Sequence, residues 1–174
     1  LNMENTDLKT LPSALLKLKN LHKLYLKDNQ ITEFPKDLYK LRKLEELDLT
    51  SNKLKVIPPN ACTHPRLKIL RLSNNEIKKV PDYISGLKSL QELDLSYNPL
   101  KHLSPQLAGM KSLCRVNFRR CRLYESPLSL SHVSQVKNLN LAGNFYLRLP
   151  DKLQQFAQLQ FLDISENDLK ELPI

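Results

Sequence analysis

A 23-residue period constrains the fold of this chain more than any other feature of the sequence. Residues 44–58 read LEELDLTSNKLKVIP, in which Leu47 and Leu49 alternate like the buried side of a short strand and Asn52 follows three residues later. The same spacing returns along the chain without insertion or deletion. One copy cannot bury its own apolar side, whereas stacked copies can. The period therefore predicts a solenoid whose strands lie side by side in one parallel sheet.

The repeated residues follow the pattern LxxLxLxxNxLxxLPxxLxxLxx and resemble the leucine-rich repeat family. More narrowly, they resemble its 23-residue intracellular class, which occurs in Ras-pathway scaffolds, cell-polarity scaffolds and the Ras-group leucine-rich repeat proteins of plants. The resemblance covers the whole chain. It implies an α/β solenoid, a horseshoe arc with a parallel β-sheet on the concave side and short helical or 3₁₀ segments on the convex side.

We expect a single leucine-rich repeat domain over residues 1–174. Its full repeats are residues 21–43, 44–66, 67–89, 90–112, 113–135 and 136–158, with partial repeats at 1–20 and 159–174. Natural solenoids close their ends with polar capping repeats, yet this sequence starts and stops in mid-repeat. We therefore expect the chain to be a piece of a longer protein.

Two columns of residues recur at fixed places in the repeat. An asparagine column is expected to satisfy backbone groups that a tight turn leaves unpaired, which is a structural role. It comprises Asn29, Asn52, Asn75, Asn98, Asn144 and Asn167. A proline column is expected to open the return segment on the convex side, where a fixed φ suits the first turn of a short helix. It comprises Pro12, Pro35, Pro58, Pro81, Pro150 and Pro173.

Two copies depart from the pattern. Residues 44–66 have Ala61 and His64 where leucine is expected, so we expect an irregular turn there. Residues 113–135 have Ser126 in place of a leucine, and Cys121 takes the place of the asparagine, which the family pattern also allows. Basic residues crowd the exposed positions of that copy, namely Arg115, Arg119, Arg120 and Arg122.

The cysteines and the lack of a long apolar run indicate the cellular compartment. No run of about 18 apolar residues occurs, so we expect no membrane-spanning segment. Cys62, Cys114 and Cys121 are odd in number and unclustered, and the sequence contains no Asn-x-Ser/Thr acceptor. These features favour the cytoplasm or the nucleus.

The sequence contains no catalytic constellation. Its histidines fall at four different places in the repeat, and no Cys/His spacing fits a metal site. Gly-rich phosphate-binding loops are also absent. A solvated charged face accounts for the neighbouring acids Glu46 and Asp48 better than acid–base catalysis does. We therefore expect no enzyme activity, no metal site and no cofactor.

The predicted concave face is not basic. Its exposed places, the third, fifth, seventh and eighth of each repeat, carry six basic and eight acidic residues. The net charge of +9 must therefore come from the edges and the convex side, where Lys55, Lys78 and Lys101 share one repeat position. Lysines scattered along an edge without interleaved aromatic residues argue against nucleic acid as the ligand.

Neighbouring copies should place opposite charges side by side. Asp48, Arg71 and Asp94 form one predicted row and Glu92 lies beside Arg115, so we expect these charges to satisfy one another at the surface. Arg119 and Arg120 differ, because the residues beside them in the adjacent copies are uncharged. Two of those neighbours, Ala142 and Gly143, are also small and should leave a shallow depression.

An unpaired arginine pair beside exposed aromatic residues has the composition of a binding hot spot. Arginine engages carboxylates and phosphates through two parallel hydrogen bonds, and tyrosine and arginine are enriched among hot-spot residues. We expect the depression to be bordered by Tyr97, Arg119, Arg120 and Phe161. The predicted partner-binding residues are Arg71, Asp94, Tyr97, Arg115, Arg119, Arg120 and Phe161.

The leading interpretation is a monomeric, non-enzymatic interaction module or scaffold in intracellular signalling that binds another protein on its concave face. The family resemblance implies a small GTPase, a phosphatase subunit or a polarity or cytoskeletal protein as the partner, and the sequence does not choose among these. The alternative is binding of nucleic acid or an acidic membrane surface through the basic edges.

Overall fold

A single parallel sheet with the period of the sequence forms one side of the molecule. The computed structural model describes residues 1–124, 135–149 and 156–171. Within these ranges the sheet has seven three-residue strands in chain order. They are β1 (Lys23–Tyr25), β2 (Glu46–Asp48), β3 (Ile69–Arg71), β4 (Glu92–Asp94), β5 (Arg115–Asn117), β6 (Asn138–Asn140) and β7 (Phe161–Asp163). Paired residues such as Leu47 and Leu70 are one repeat apart, so the period of the sequence sets the register between adjacent strands.

The chain returns from one strand to the next through short 3₁₀ helices. In the described residues these are Ser13–Lys17, Leu38–Lys40, Pro59–Thr63, Asp82–Gly86 and Pro105–Gly109. Pro12, Pro58 and Pro81 directly precede three of them, as their fixed φ favours. Pro150 and Pro173 of the proline column lie outside the described residues. The predicted arc, with a parallel sheet on the concave side and 3₁₀ segments on the convex side, is confirmed.

The expectation of an irregular turn after residue 58 holds only at the end of the segment, where His64 is extended and lacks the backbone hydrogen bond that ends the other 3₁₀ helices of the described residues. Pro59–Thr63 is a 3₁₀ helix like those of other copies, and Ala61 is buried in it. His64 is only 1% exposed and fills the place of a leucine. Its ring is satisfied at both nitrogens, because Nε2 donates to the Leu41 carbonyl at 3.1 Å and Nδ1 accepts from the Arg66 N–H at 3.4 Å. Ser126 of the other departing copy lies outside the described residues.

Each asparagine of the column joins neighbouring copies through its side-chain amide. Asn75 Oδ1 accepts from the Leu54 N–H at 2.9 Å, and Nδ2 donates to the carbonyls of Leu49 at 2.9 Å and Leu72 at 3.0 Å. Equivalent bonds are made by Asn29, Asn52, Asn98, Asn144 and Asn167. In place of an asparagine, Cys121 directs its Sγ to the Leu95 carbonyl at 3.3 Å.

The residue just before this column turns the chain sharply at the end of each strand. It has a positive φ of 48° to 67° in Asn5, Asp28, Ser51, Asn74, Tyr97, Arg120, Gly143 and Glu166. This backbone conformation costs an L-residue about 1–2 kcal/mol. Tyr97 and Arg120 are large side chains that are nevertheless held in it, since the Asn98 amide fixes the turn after Tyr97 and the Cys121 thiol bonds the Leu95 carbonyl after Arg120.

Replacing Asn75 with alanine tests the importance of the asparagine column. The buried Leu54 N–H would lose its acceptor and the Leu49 carbonyl one of its donors. We expect the free energy of unfolding to fall by at least about 2 kcal/mol, since each buried group left unpaired costs about 1–3 kcal/mol. Urea unfolding followed by circular dichroism measures this loss. Lys78→Ala, at an exposed position, is the control, and an equal loss in both variants would contradict the prediction.

His64 makes stability depend on pH. Burial lowers the pKa of His64 because the charged ring would lose its hydration, an effect that the hydrogen bond to Leu41 opposes only in part. The unfolded chain therefore takes up a proton at a higher pH than the folded protein. The free energy of unfolding should fall as the pH drops through about 6.5, the unfolded value, until the folded protein is protonated as well.

His64→Leu should flatten this dependence, since leucine fills the equivalent place in other copies. Urea midpoints measured between about pH 8 and pH 5 give the comparison. His22→Gln, which removes an exposed histidine, should retain the slope of the native protein. A slope unchanged by His64→Leu would show that other groups cause the dependence.

Candidate functional site

A ladder of ion pairs crosses the concave face from β1 to β5. Lys23 Nζ lies 3.1 Å from Glu46 Oε2, and Arg71 Nη1 lies 2.6 Å from Glu46 Oε1. The second arm of Arg71 lies 2.9 Å from Glu92, whose other oxygen lies 2.9 Å from Arg115 Nε. The Glu46 side chain is only 10% exposed. Burial alone would raise the pKa of Glu46, but the hydrogen bonds from Arg71 and Lys23 outweigh it and lower this pKa.

Arg71 reaches diagonally rather than along its own row. Its in-register neighbours are Asp48 and Asp94, as the sequence predicts, but its guanidinium pairs with Glu46 and Glu92, two residues earlier on the adjacent strands. The expected satisfaction of Arg71 by the two aspartates is therefore wrong. The predicted pairing of Glu92 with Arg115 is confirmed.

The aspartates instead hold the turn that follows each strand. Asp94 Oδ1 accepts from the Ser96 N–H at 2.9 Å, and Asp48 Oδ1 accepts from the Thr50 N–H at the same distance. The same bond to the residue two positions later is made by Asn117, Asn140 and Asp163. The Asp and Asn side chains at the fifth place of the repeat therefore stabilise the turn after the strand, and the oxygen that does so is not available to a ligand.

Arg119 and Arg120 share one carboxylate from a copy two strands away. Arg119 Nη2 lies 2.6 Å from Glu166 Oε1, and Arg120 Nη2 lies 2.5 Å from Glu166 Oε2. The expectation that both arginines lack a charged partner is therefore wrong. The adjacent copies offer these arginines no charged partner, but the small Ala142 and Gly143 of the intervening copy allow the long side chains to reach Glu166. We call these three charged residues the Glu166 clamp.

The clamp is a surface interaction with a clear electrostatic signature. The Tyr97 hydroxyl and the Glu166 carboxylate raise the pKa of Arg119. Hydrogen bonds from Arg120 and Arg119 lower the pKa of Glu166, although desolvation acts in the opposite direction. The side chains of Arg120 and Glu166 are about half exposed, so water and salt screen their attraction.

Gly143 leaves room for one arm of the clamp. It has a φ of +67°, and a Cβ at this position would lie 2.6 Å from Arg120 Cγ. The side chain of Arg120 therefore fills part of the depression predicted over Gly143. The open cavity that remains has a volume of about 250 Å³ and is lined by Arg120, Gly143, Asn144, Phe145, Glu166 and Asp168. Tyr97 and Phe161, its expected borders, are not part of this lining.

Exposed contact groups surround the clamp on the concave side. Tyr97 is 48% exposed and Phe161 is 50% exposed. Arg115, Asn138 and Phe161 lie side by side on β5, β6 and β7. The side-chain amide of Asn138 makes no hydrogen bond with any residue that the structure describes, so its donor and acceptor are free for a ligand.

The structure thus separates the predicted partner-binding residues into two groups. Arg115, Arg119, Arg120 and Phe161 lie together on β5, β7 and the turn after β5, with Tyr97 on the preceding turn. Arg71 and Asp94 lie nearer the first strands, where the ladder and the turn occupy them. Sequence reasoning missed Glu166 and Asn138. Comparison of the eighth place of the repeat between copies two apart would have found Glu166 opposite Arg120.

The described residues contain no group of three or more His, Cys, Asp or Glu side chains placed to hold a metal ion. None of the helices in the described ranges is long and apolar enough to cross a membrane.

Comparison with a family model decides the classification of the chain. The leucine rich repeat model matches residues 1–54, 19–77, 42–100 and 65–123, which together cover most of the sequence. The chain belongs to the leucine-rich repeat family. No curated protein matches its sequence.

Solved structures of other proteins superpose well on this one. A leucine-rich repeat protein of Leptospira interrogans is 32% identical with a TM-score of 0.94, over 99% of this chain and 44% of that one. The plant peptide hormone receptor RGFR1, in complex with RGF2, is 25% identical with a TM-score of 0.78, over 92% and 27% of the two chains.

The Arabidopsis receptor kinase HAESA is a third similar structure. It is in complex with the peptide hormone IDA and the co-receptor SERK1, and is 27% identical with a TM-score of 0.75. The match covers 94% of this chain and 28% of that one. This leucine-rich repeat chain therefore spans less than half the length of each of the three proteins.

The clamp can be tested through the titration of Glu166. Arg120→Gln removes the strongest hydrogen bond that favours the charged carboxylate, so the pKa of Glu166 should rise toward its ordinary value. Carbon-detected NMR of the glutamate carboxylates measures this pKa directly. Arg122→Gln, at an exposed arginine two residues away, should leave it unchanged. An unchanged pKa in Arg120→Gln would contradict the ion pair.

Proposed function

We propose that this leucine-rich repeat chain is an interaction module that binds another protein on the concave face of β5 to β7. The observation that carries the proposal is the group of exposed contact residues there, with Tyr97 and Phe161 half exposed on either side of Arg115 and Asn138. Tyrosine and arginine dominate interface hot spots because they combine a large apolar area with polar atoms. The hydrogen-bonded sheet holds them in fixed positions, which reduces the entropy lost on binding.

The first strands of the concave face are less suited to binding. The charged residues of the ladder from Lys23 to Arg115 pair with one another. A ligand that broke these pairs would leave the largely buried Glu46 without a charged partner. Truncation of one partner of a buried charge pair is costly for the same reason. The ladder ends at Arg115, whose exposed guanidinium uses only Nε in its bond to Glu92 among the described residues. The open part of the face therefore begins where the ladder ends.

The similar structures support this kind of function. RGFR1 and HAESA are both described as complexes with peptide hormones, and HAESA also with a co-receptor. A parallel sheet with variable side chains at the same places is a surface on which different members of a fold family can carry different binding sites. By the same argument we propose a scaffold role, not catalysis, for the residues of this chain.

We further propose that the module is a monomer that works inside the cell, in the cytoplasm or the nucleus, in signalling. Cys62, Cys114 and Cys121 are all free thiols, which fits a reducing compartment. Burial raises the pKa of the Cys62 and Cys121 thiols to about 12, which keeps them protonated and unreactive. A small GTPase, a phosphatase subunit and a polarity or cytoskeletal protein are the partner classes that the family resemblance offers.

Truncation of the open part of the face tests the proposal. Arg115→Ala with Phe161→Ala should weaken partner binding at least about tenfold, because two central contacts are lost. Tyr39→Ala with Arg42→Ala also removes one aromatic residue and one arginine, from exposed positions outside the strands, and is the matched control. Affinity capture from a nuclease-treated cytosolic extract, followed by titration of the captured protein, gives the measurement.

A partner lost with the concave variant and retained by the control would support the proposed face. Equal retention by both variants, or loss from both, would contradict it. Thermal unfolding of each variant by circular dichroism shows whether a loss of binding comes from a loss of folding.

A further inference from the structure

A second ordered surface lies on the edge of the arc that follows the asparagine column. Here each copy alternates exposed, buried and exposed residues, as in Lys53, Leu54 and Lys55. Phe145, Tyr146 and Leu147 repeat this alternation. We call the exposed outward side chains of this segment between residues 53 and 147 the outer edge. It comprises Lys53, Lys55, Glu76, Lys78, Lys101, Arg122, Tyr124, Phe145 and Leu147, all of them exposed.

Backbone hydrogen bonds join neighbouring copies along most of the outer edge. The first residue of the segment donates its N–H to the carbonyl of the buried residue of the preceding copy, at 2.9 Å from Lys53 to Ile31 and 2.7 Å from Phe145 to Leu123, although Pro99 has no N–H to make this bond. The equivalent bonds of Glu76 and Arg122 are both 2.8 Å long. Successive side chains of the row therefore follow one another at the spacing of stacked strands, roughly 5 Å.

The outer edge carries a net positive charge. Five of its residues are basic and one is acidic. No acidic side chain of the described ranges lies within ion-pair distance of Lys55, Lys78 or Lys101, whereas Lys23 on the concave face is paired with Glu46. Cations in a row without partners create a positive potential that attracts an anionic surface.

One end of the outer edge is apolar. Tyr124 and Leu147 occupy the place that lysine holds in Lys55, Lys78 and Lys101, and both are about half exposed. Phe145 is also about half exposed and lies two residues before Leu147 on the same side of an extended segment. Three neighbouring apolar side chains therefore project into solvent beside the lysine row.

We propose that the outer edge docks on an anionic lipid bilayer. Tyr124, Phe145 and Leu147 enter the interfacial region, and the lysines lie against the head groups. Aromatic and aliphatic side chains next to lysines are the composition of surfaces that bind in the plane of the interface. Because the exposed residues of the row extend over several copies, they fit a broad surface better than a short peptide.

The chemistry of the cations also favours a bilayer over an acidic protein or nucleic acid. Four of the five basic residues are lysines, which act as mobile point charges, whereas paired recognition of carboxylates or phosphates favours arginine. The outer edge is distinct from the open concave face around Arg115 and Phe161. The proposal therefore stands apart from the proposed protein interface, and both surfaces can be occupied together.

A tryptophan reporter tests the apolar end. The chain contains no tryptophan, so Phe145→Trp places a single fluorophore on the outer edge. Addition of vesicles of phosphatidylserine and phosphatidylcholine at about 0.15 M salt should shift its emission to the blue, since the ring leaves water. Vesicles of phosphatidylcholine alone should give little shift. No shift with the anionic vesicles would overturn the proposal.

Co-sedimentation with the same anionic vesicles tests the two parts of the outer edge. Phe145→Ser with Leu147→Ser should lower the partition coefficient at least about tenfold. Lys55→Glu with Lys78→Glu should lower it on the order of a hundredfold. Lys88→Glu with Lys111→Glu makes the same charge change at exposed positions outside the outer edge and is the matched control.

Retention by the control and loss by the two outer-edge variants is the expected result. An equal loss from the control would overturn the proposal, because binding would then follow net charge and not this surface. Binding to a poly-glutamate peptide or to RNA without binding to vesicles would also overturn it. Arg115→Ala with Phe161→Ala should still sediment with vesicles, which separates this proposal from the concave interface.

Discussion

The hydrogen bonds of the asparagine column are the constraint on which the rest of the structure depends. Each side-chain amide bonds the backbone of its own turn and that of the preceding copy, so no turn is complete without its neighbour. The bonds fix a turn in which one residue must adopt a positive φ, and this turn aims the seventh and eighth side chains of each repeat. The position of Tyr97, Arg119 and Arg120 on the surface follows from this buried polar network.

The period predicted the fold well because it encodes burial, and burial determines register. Leucines one repeat apart became paired residues of adjacent strands, as in Leu47 and Leu70. The return segment after residue 58 was harder to predict. Ala61 and His64 suggested irregularity, yet a buried histidine can replace leucine when backbone groups satisfy both its nitrogens, as Leu41 and Arg66 do here. The sequence shows that histidine replaces leucine at this position and how the side-chain volume changes. It does not show which backbone atoms lie close enough to bond the ring.

The surface was predicted less completely, for a geometric reason. Long charged side chains reach beyond the adjacent strand or diagonally across it, as Arg71 does toward Glu46 and Glu92. A comparison of equal places in neighbouring copies misses such contacts, and it missed the pairing of Glu166 with Arg119 and Arg120. The outer edge is easier to predict from the sequence, because its side chains project from the stack. The replacement of lysine by Tyr124 and Leu147 is visible when the repeats are aligned. The prediction from the shared repeat position of the lysines, an edge without interleaved aromatic residues, is therefore wrong at Tyr124.

The Glu166 clamp also affects the mechanics of the arc. Each ion pair of the ladder joins adjacent strands, whereas the clamp joins the turns after β5 and β7 across the whole width of β6. Because the clamp lies on the concave side, it does not oppose an increase in the curvature of the arc. Flattening of the arc at this end, by contrast, must stretch both ion pairs of the clamp at once. The bending stiffness is therefore direction-dependent and larger near β7. Since mobile ions screen half-exposed charges, the arc becomes more compliant as the ionic strength rises.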